Sequence, residues 1–344
     1  MPFRKNLLAW YRQNARDLPW RTTRDPYKIW ISEVMLQQTA VNAVIPYYQK
    51  WIRVFPTVEK VASASLPRIL RMWQGLGYYK RAKNIHRASR ILVRQYAGKL
   101  PVDPMQLRSL PGFGPYTTGA VASIAFGVKH SIIDANVRRV CMRLLALKGR
   151  ADTSQDRRIE DFLNKILPNN SIGLFNQALM ELGALLCRSK EPQCIPCPVR
   201  RFCLAYRRDL QDVIPVVAKR VVHKIEAVVA LLENKGRIFI QQRPSTGLFA
   251  DLWEFPGGKI NKGESIRQAL AHELKEELNV CLRTAEPFVT VQHAYTQFQV
   301  RLHAWRCSVV PLPRSDRTHK WVRLRELTYY AMPSGSAKIV ECLL

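Results

Sequence analysis

The spacing of apolar residues changes character near residue 206, and that switch divides the chain into two bodies of different class. From Tyr27 to Thr39, and again over 66–73, 79–96, 115–126, 134–147, 156–166 and 174–187, apolar side chains recur at the interval of an amphipathic helix. Asp25-Pro26 supplies a helix start, because Asp can accept from the free amides of a first turn and proline suits the first helical position. Strand signals are scarce in this part, which predicts an all-α domain over 1–205. Residues 206–224 contain Pro215 and several charges without a helical period, and read as a linker. Beyond them, Ala227–Leu232 and Arg237–Gln242 flank Asn234-Lys235-Gly236, a strand–turn–strand pattern. A helix is expected at 265–278 and further strands at 287–293 and 297–309, so 225–344 is predicted to be α+β. A chain of 344 residues is longer than one core usually serves, and its 47% apolar content is enough for two.

Charge narrows the partner. Lys and Arg number 54 against 26 acids, a formal net charge of +28, which repels itself unless a polyanion is nearby. Residues 51–100 carry eleven Lys or Arg and a single acid, Glu59, with Trp73, Tyr78 and Tyr79 interleaved. Residues 251–300 carry five basic and seven acidic side chains. The basic, aromatic-laced first half therefore points to nucleic acid. Eight Trp, twelve Tyr and twelve Phe argue against a disordered chain. No run approaches the ~20 apolar residues of a membrane span. Met1–Trp10 lacks the apolar segment of a secretory signal, so a cytoplasmic location is expected, nucleoid-associated if the partner is DNA; a monomer is expected.

Two segments echo each other. Leu70-Arg71-Met72-Trp73-Gln74-Gly75-Leu76-Gly77-Tyr78 and Leu107-Arg108-Ser109-Leu110-Pro111-Gly112-Phe113-Gly114-Pro115 both place Gly-x-Gly between predicted helices. Glycine there lets backbone N–H groups face outward at a helix start, a geometry that binds anions and also simply turns a helical hairpin.

Four of the eight cysteines are grouped as Cys187-x6-Cys194-x2-Cys197-x5-Cys203. Four thiolates on so short a loop imply a metal centre. Zinc is the generic choice, but loops of six, two and five residues suit an iron–sulfur cubane better, since each of four irons must receive one thiolate. Cys141, Cys281, Cys307 and Cys342 are scattered and read as small apolar residues.

These features together resemble a known superfamily. The cysteine spacing is similar to that of helix-hairpin-helix DNA glycosylases related to endonuclease III, which implies a [4Fe-4S] cluster on Cys187, Cys194, Cys197 and Cys203. Leu110-Pro111-Gly112-Phe113-Gly114-Pro115-Tyr116-Thr117 resembles the hairpin itself, with the motif spanning about 107–126 and Gly112 and Gly114 at the DNA backbone. Ile133-Asp134-Ala135-Asn136-Val137-Arg138-Arg139-Val140 follows at the expected distance. Trp30-Ile31-Ser32-Glu33-Val34-Met35-Leu36-Gln37-Gln38-Thr39 is similar to the adenine DNA glycosylases of the MutY family.

The chemistry of that family suits these residues. Breaking an N-glycosidic bond to adenine requires an acid near the base and an anion near the developing oxocarbenium ion. Glu33 lies in an apolar helical context that should keep it protonated, whereas Asp134, at a helix start beside basic residues, should stay ionised. The resemblance makes Glu33 the proton donor and later the activator of water, and Asp134 the stabiliser of the cation. Tyr116 stands where bifunctional members carry a Schiff-base lysine, and Arg138 where another lysine is often found, so a monofunctional enzyme is implied. Asn136 is expected near the catalytic carboxylates. Gln38 and Tyr78 would wedge into the base stack, at a cost of base extrusion of a few kcal/mol. Trp20, Arg21 and Glu181 would line the adenine pocket, although Trp20 and Glu181 could equally be helix packing.

In the second part, Gly258-x5-Glu264-x7-His272-Glu273-Leu274-Lys275-Glu276-Glu277-Leu278-Asn279-Val280 resembles a Nudix box in which His272 replaces Arg and Asn279 replaces Gly. Glu273, Glu276 and Glu277 could converge on Mg²⁺ and support a nucleotide pyrophosphohydrolase. The alternative is an eroded hydrolase that reads the base opposite adenine, which the missing Arg favours. Aligned from His293, Tyr295-Thr296-Gln297 falls where the family reads 8-oxoguanine through Phe-Ser-His, with Gln297 replacing His. The expected substrate is therefore double-stranded DNA with an A:8-oxoguanine or A:G mispair.

Overall fold

The computed structural model describes residues 1–216, 222–295, 297–313 and 315–344. Its packing separates two compact units, Met1–Ser63 with Asn84–Lys219, and Ala64–Lys83 with Arg220–Leu344. Part of the expected linker (217–221) and the expected reading residue Thr296 lie outside the described residues, as does the side chain of Tyr295.

The first unit is helical. The helix Ile172–Leu185 is apolar on almost every face and is buried along nearly its whole length, as such a helix must be. Phe3, Leu7 and Tyr11 of the helix Pro2–Asn14 join its core, as do Val137, Val140, Cys141 and Leu144 of the helix Ala135–Leu144. Each such fully buried aliphatic contributes roughly 1.5–3 kcal/mol. The helix Pro26–Met35 begins as its sequence predicts, with Asp25 Oδ1 accepting from the amides of Tyr27 at 2.9 Å and Lys28 at 3.4 Å. It stops at Met35, short of the expected Thr39, and Gln38 just beyond adopts a left-handed conformation with φ +56°. The hairpin runs from the helix Pro104–Ser109 to the helix Pro115–Ala120. Its turn needs glycine: Gly112 has φ +84°, and a Cβ there would lie 2.8 Å from Asn84 Cβ. Residues just after 205 are not free chain, since Ile214 is buried in this core and its carbonyl accepts from Arg143 Nε at 2.7 Å.

The second unit is an α+β body on six strands among the described residues: β1 His223–Asn234, β2 Arg237–Gln242, β3 Trp253–Glu254, β4 Cys281–Tyr295, β5 Phe298–Val310 and β6 His319–Arg323. The order is β3-β2-β1-β5-β4, with β6 on β2; β1 and β5 are parallel and the other pairs antiparallel. The buried half of β1 serves two cores through the alternation of strand side chains. Ala227, Val229 and Leu231 face a cluster containing Ile339 and Val340 of the helix Ser334–Leu343. Val228, Ala230 and Leu232 face Ala269, Leu270, Leu274 and Leu278 of the helix Ile266–Leu278. That helix opens on the capping box Ser265/Gln268. Among the described residues, no helix is long and apolar enough to cross a membrane.

Candidate active site and cysteine loop

Glu33 is buried on its helix, with Ile31, Val34 and Met35 buried beside it. Tyr116, in the first turn of the hairpin's second helix, donates its hydroxyl to Glu33 Oε2. Burial pushes the Glu33 carboxyl above its usual range; Arg21 and the Tyr116 hydrogen bond pull it back, and the charge of Asp134 pushes it further up. The Tyr116 phenol is held well above its ordinary value by burial and by both carboxylates, so it remains a donor.

Asp134 caps the helix Ala135–Leu144. Its Oδ1 accepts from the Val137 amide at 2.6 Å and its Oδ2 from Asn136 Nδ2 at 3.1 Å. The sequence predicts that environment drives the two carboxyls in opposite directions, but burial pushes Asp134 upward as well. The difference between them is in hydrogen bonding. Asp134 is drawn back toward its anion by Val137, by the side chain and amide of Asn136 and by the Arg139 charge, whereas Glu33 has only Tyr116 and Arg21.

Arg139 is a residue that sequence reading did not single out. Its Nη2 donates to Asn136 Oδ1 and to Gly183 O, both at 2.8 Å, and its Nε to Cys187 O at 2.7 Å. The site carboxylate and the first cysteine thus share one guanidinium through Asn136. Gly183 makes this approach possible, because a Cβ there would lie 2.6 Å from Asn136 Cβ.

Glu181 is buried and holds Arg16 through both carboxylate oxygens, Nε–Oε1 at 2.6 Å and Nη2–Oε2 at 3.1 Å, with Arg21 Nη2 at 3.9 Å. Arg16 also escaped the sequence reading, because a pairing 165 residues apart leaves no local pattern. Trp20 Nε1 and Arg21 Nη1 are buried donors with no acceptor among the described residues. An unmet buried donor costs about 1–3 kcal/mol, so both call for an acceptor, from a water or a ligand. Gln38 and Tyr78 are exposed and both adopt positive φ, +56° and +47°, an unusual state for non-glycine residues.

Cys187, Cys194, Cys197 and Cys203 line one common pocket together with Val140, Arg143 and Leu186. They do not close on a single-ion site, as one tetrahedral zinc with bonds of about 2.3 Å would require. Burial and the neighbouring sulfurs push the thiols of Cys194, Cys197 and Cys203 up, Cys197 to about 12, so ionised sulfurs here need positive charge among them. The donor set, four thiols on one pocket, fits a polynuclear iron–sulfur group. Arg143 anchors the loop, donating to Arg188 O at 2.6 Å and reaching Cys187 Sγ at 3.3 Å.

In the second unit one carboxylate of the box, Glu277, is otherwise engaged. Glu277 accepts from Arg317 Nη1 at 2.9 Å, Gln241 Nε2 at 2.9 Å and the Gly257 amide at 3.0 Å. Glu254 pairs with Arg243 at 2.5 Å. Glu276 is exposed toward His272, and no three acidic, His or Cys groups among the described residues form a metal set. Glu273 is raised by burial and by the charges of Glu277 and Glu276. Gln297 is exposed, its carbonyl accepting from the His223 amide at 2.8 Å.

Comparison with known proteins agrees with both halves. The family described as HhH-GPD superfamily base excision DNA repair protein matches residues 31–169, and the NUDIX domain family matches 227–342. An adenine DNA glycosylase of Buchnera aphidicola (subsp. Acyrthosiphon pisum) is 30% identical over 98% of this chain and 97% of its own length. The adenine DNA glycosylase of Homo sapiens is 34% identical over 79% of this chain, which spans 60% of that protein. Among solved structures, a thermostable thymine-DNA glycosylase superposes with a TM-score of 0.54 at 28% identity, covering 60% of this chain and 95% of that one. A non-covalent endonuclease III–DNA complex does so with 0.52 at 25% identity over the same shares. Buried acid, capping carboxylate, hairpin and overall likeness converge, and the chain belongs to the adenine DNA glycosylase family, as a DNA N-glycosylase that joins a helix-hairpin-helix domain to a Nudix-like one.

Proposed function

We propose that the chain removes adenine mispaired with 8-oxoguanine or guanine in duplex DNA, and that it is monofunctional. The observation that carries this reading is the buried Glu33, hydrogen-bonded by Tyr116 and electrostatically coupled to Asp134. Glu33, kept protonated by burial, delivers its proton to a ring nitrogen of the extruded adenine. The C1′–N9 bond then breaks with its electron pair passing to the base, and the sugar becomes an oxocarbenium ion. Asp134, held toward its anionic form by the helix cap and Asn136, stabilises that cation. Water adds at C1′ and gives its proton to the Glu33 carboxylate, which restores the acid. Tyr116 cannot form an imine, so the product is an intact strand with an abasic site.

The unmet donors of Trp20 and Arg21 support an adenine pocket there, and the Arg16 pairing makes Glu181 a holder of that wall. Gln38 and Tyr78 are the wedges, and Gly112 and Gly114 the hairpin turn at the backbone. Cys187, Cys194, Cys197 and Cys203 would hold a [4Fe-4S] cluster, which when bound cross-links its loop and supplies no step of the reaction. The working division is a glycosylase domain over 1–205 and a Nudix-like domain over 225–344 that reads the opposite base near Tyr295, Thr296 and Gln297.

The test is a labelled duplex with a central A:8-oxoguanine pair, incubated in EDTA and then treated with alkali. Strand scission by the native chain and none by Asp134→Asn is the expected result. Release that requires added Mg²⁺, or scission without alkali, would overturn the proposal.

A further inference from the structure

Residues 64–83 fall inside the stretch matched by the helix-hairpin-helix family, 31–169, yet they pack as part of the unit that carries the Nudix-like fold. Specific bonds within that unit fix them there. Gln74 Oε1 accepts from the Met332 amide at 3.0 Å, and the Tyr79 hydroxyl donates to the Met332 carbonyl at 3.1 Å, so both polar groups of one backbone residue are bound. Lys83 Nζ donates to Ala250 O at 2.7 Å and pairs with Asp251 Oδ2 at 2.5 Å. Lys83 and Asp251 are mostly shielded, with side-chain exposures of 12% and 20%, so the pair is less screened than a surface one. Arg71 stacks over the Tyr329 ring at 5.2 Å.

Tyr78 sits between these anchors. It is 42% exposed and left-handed, in a turn where Gly75 and Gly77 also have positive φ. The turn is stiff as well: Arg81 donates to Leu76 O at 2.8 Å and Gly77 O at 3.2 Å and lies over the Trp73 and Tyr78 rings, while Trp73 Nε1 donates to Gly77 O at 3.0 Å. An exposed aromatic on a rigid, unfavourable turn is therefore mounted at both ends on the 250–251 and 332 segments.

Resting on the proposed function, we propose that Gln74, Tyr79 and Lys83 are positioning residues that tie the Tyr78 wedge to the Nudix-like body. Insertion of Tyr78 is thereby coupled to the base which that body engages, and the three residues set discrimination between 8-oxoguanine and guanine rather than the chemical step. None of them touches the reacting bond.

The experiment uses the full chain and measures single-turnover adenine release from A:8-oxoguanine and A:G duplexes. Lys83→Met, Asp251→Asn and Tyr79→Phe should each lower the rate ratio between the two duplexes, by about tenfold for either member of the ion pair. The rate on A:G should change by less than about twofold. Lys83→Met combined with Asp251→Asn should lose less than the sum of the two single losses, because both remove the shared ion pair. A ratio within about twofold of native in all variants, or an equal fall on both duplexes, overturns the inference. Failure of the native chain to release adenine from either duplex instead overturns the proposed function.

Discussion

The Tyr116 hydroxyl donates to Glu33 Oε2, joining a half-buried phenol to a buried carboxyl under the influence of Asp134. Their coupling sets the pH behaviour of the site. The Tyr116 bond favours the Glu33 anion, so Tyr116→Phe raises the Glu33 pKa further. The required form is the acid, and activity is lost as pH rises through that pKa. The alkaline limb of the single-turnover pH profile should therefore move to higher pH in Tyr116→Phe, and a shift to lower pH would refute this role.

Glu33 also makes stability depend on pH. Its pKa is higher in the folded chain than in the unfolded one, so the folded state keeps the proton over a range where the unfolded state has lost it. Stability then falls as pH rises across that range. Glu33→Gln should be inactive but melt higher at pH 8 by about 2–4 °C, with the gap closing near about pH 4. Calorimetry of both proteins at the two pH values decides it.

Gly183→Ala should reduce activity without touching substrate. The new methyl would meet Asn136 Cβ at 2.6 Å and Asn136 backbone atoms at 3.1 Å, none of which can swing aside. The helix that begins at Asp134 must shift, with a loss of about 1–3 kcal/mol of stability and a fall in kcat larger than any change in KM. Denaturant unfolding and steady-state kinetics measure both.

Cys197→Ser should abolish the visible absorbance of an iron–sulfur centre and weaken binding to duplex DNA. A native protein that is colourless and carries zinc would refute the cluster. Because Arg139 joins Cys187 O to Asn136, the variant should also lower the rate measured at saturating DNA.

The Nudix-like box should be silent. Arg317 and Gln241 already fill the coordination of Glu277, so nucleoside triphosphates should not be hydrolysed with Mg²⁺, and Glu277→Gln should leave the adenine-release rate unchanged. Mg²⁺-dependent phosphate or pyrophosphate release by the native chain, lost in that variant, would show the opposite.

Local chemistry was legible in the sequence where it decides local structure. Asp25-Pro26 starts a helix because the cap and the proline act within one turn, and Arg237–Gln242 is a strand with the bounds expected. The helices Pro2–Asn14 and Val41–Val54 escaped notice; the first has no side-chain cap and the second carries Pro46 in its interior. At the site, Glu33, Asp134 and Tyr116 stood out by type and motif. Arg16 and Arg139 did not, since a guanidinium bonded to a distant carboxylate or carbonyl leaves no periodic trace. The attachment of residues 64–83 to the second unit was equally invisible, because backbone groups such as those of Met332 accept or donate whatever their side chain.

The strand β1 inserts its odd-numbered residues from Ala227 to Leu231 into one apolar layer and the even-numbered ones from Val228 to Leu232 into the layer behind. Substituting one of them injures a single layer. Inserting or deleting one residue exchanges the two sets outright, leaving both layers mismatched in a single event. Frame-preserving length changes here should thus be tolerated far less well than point replacements, and the segment gives this family member a natural intolerance to slippage.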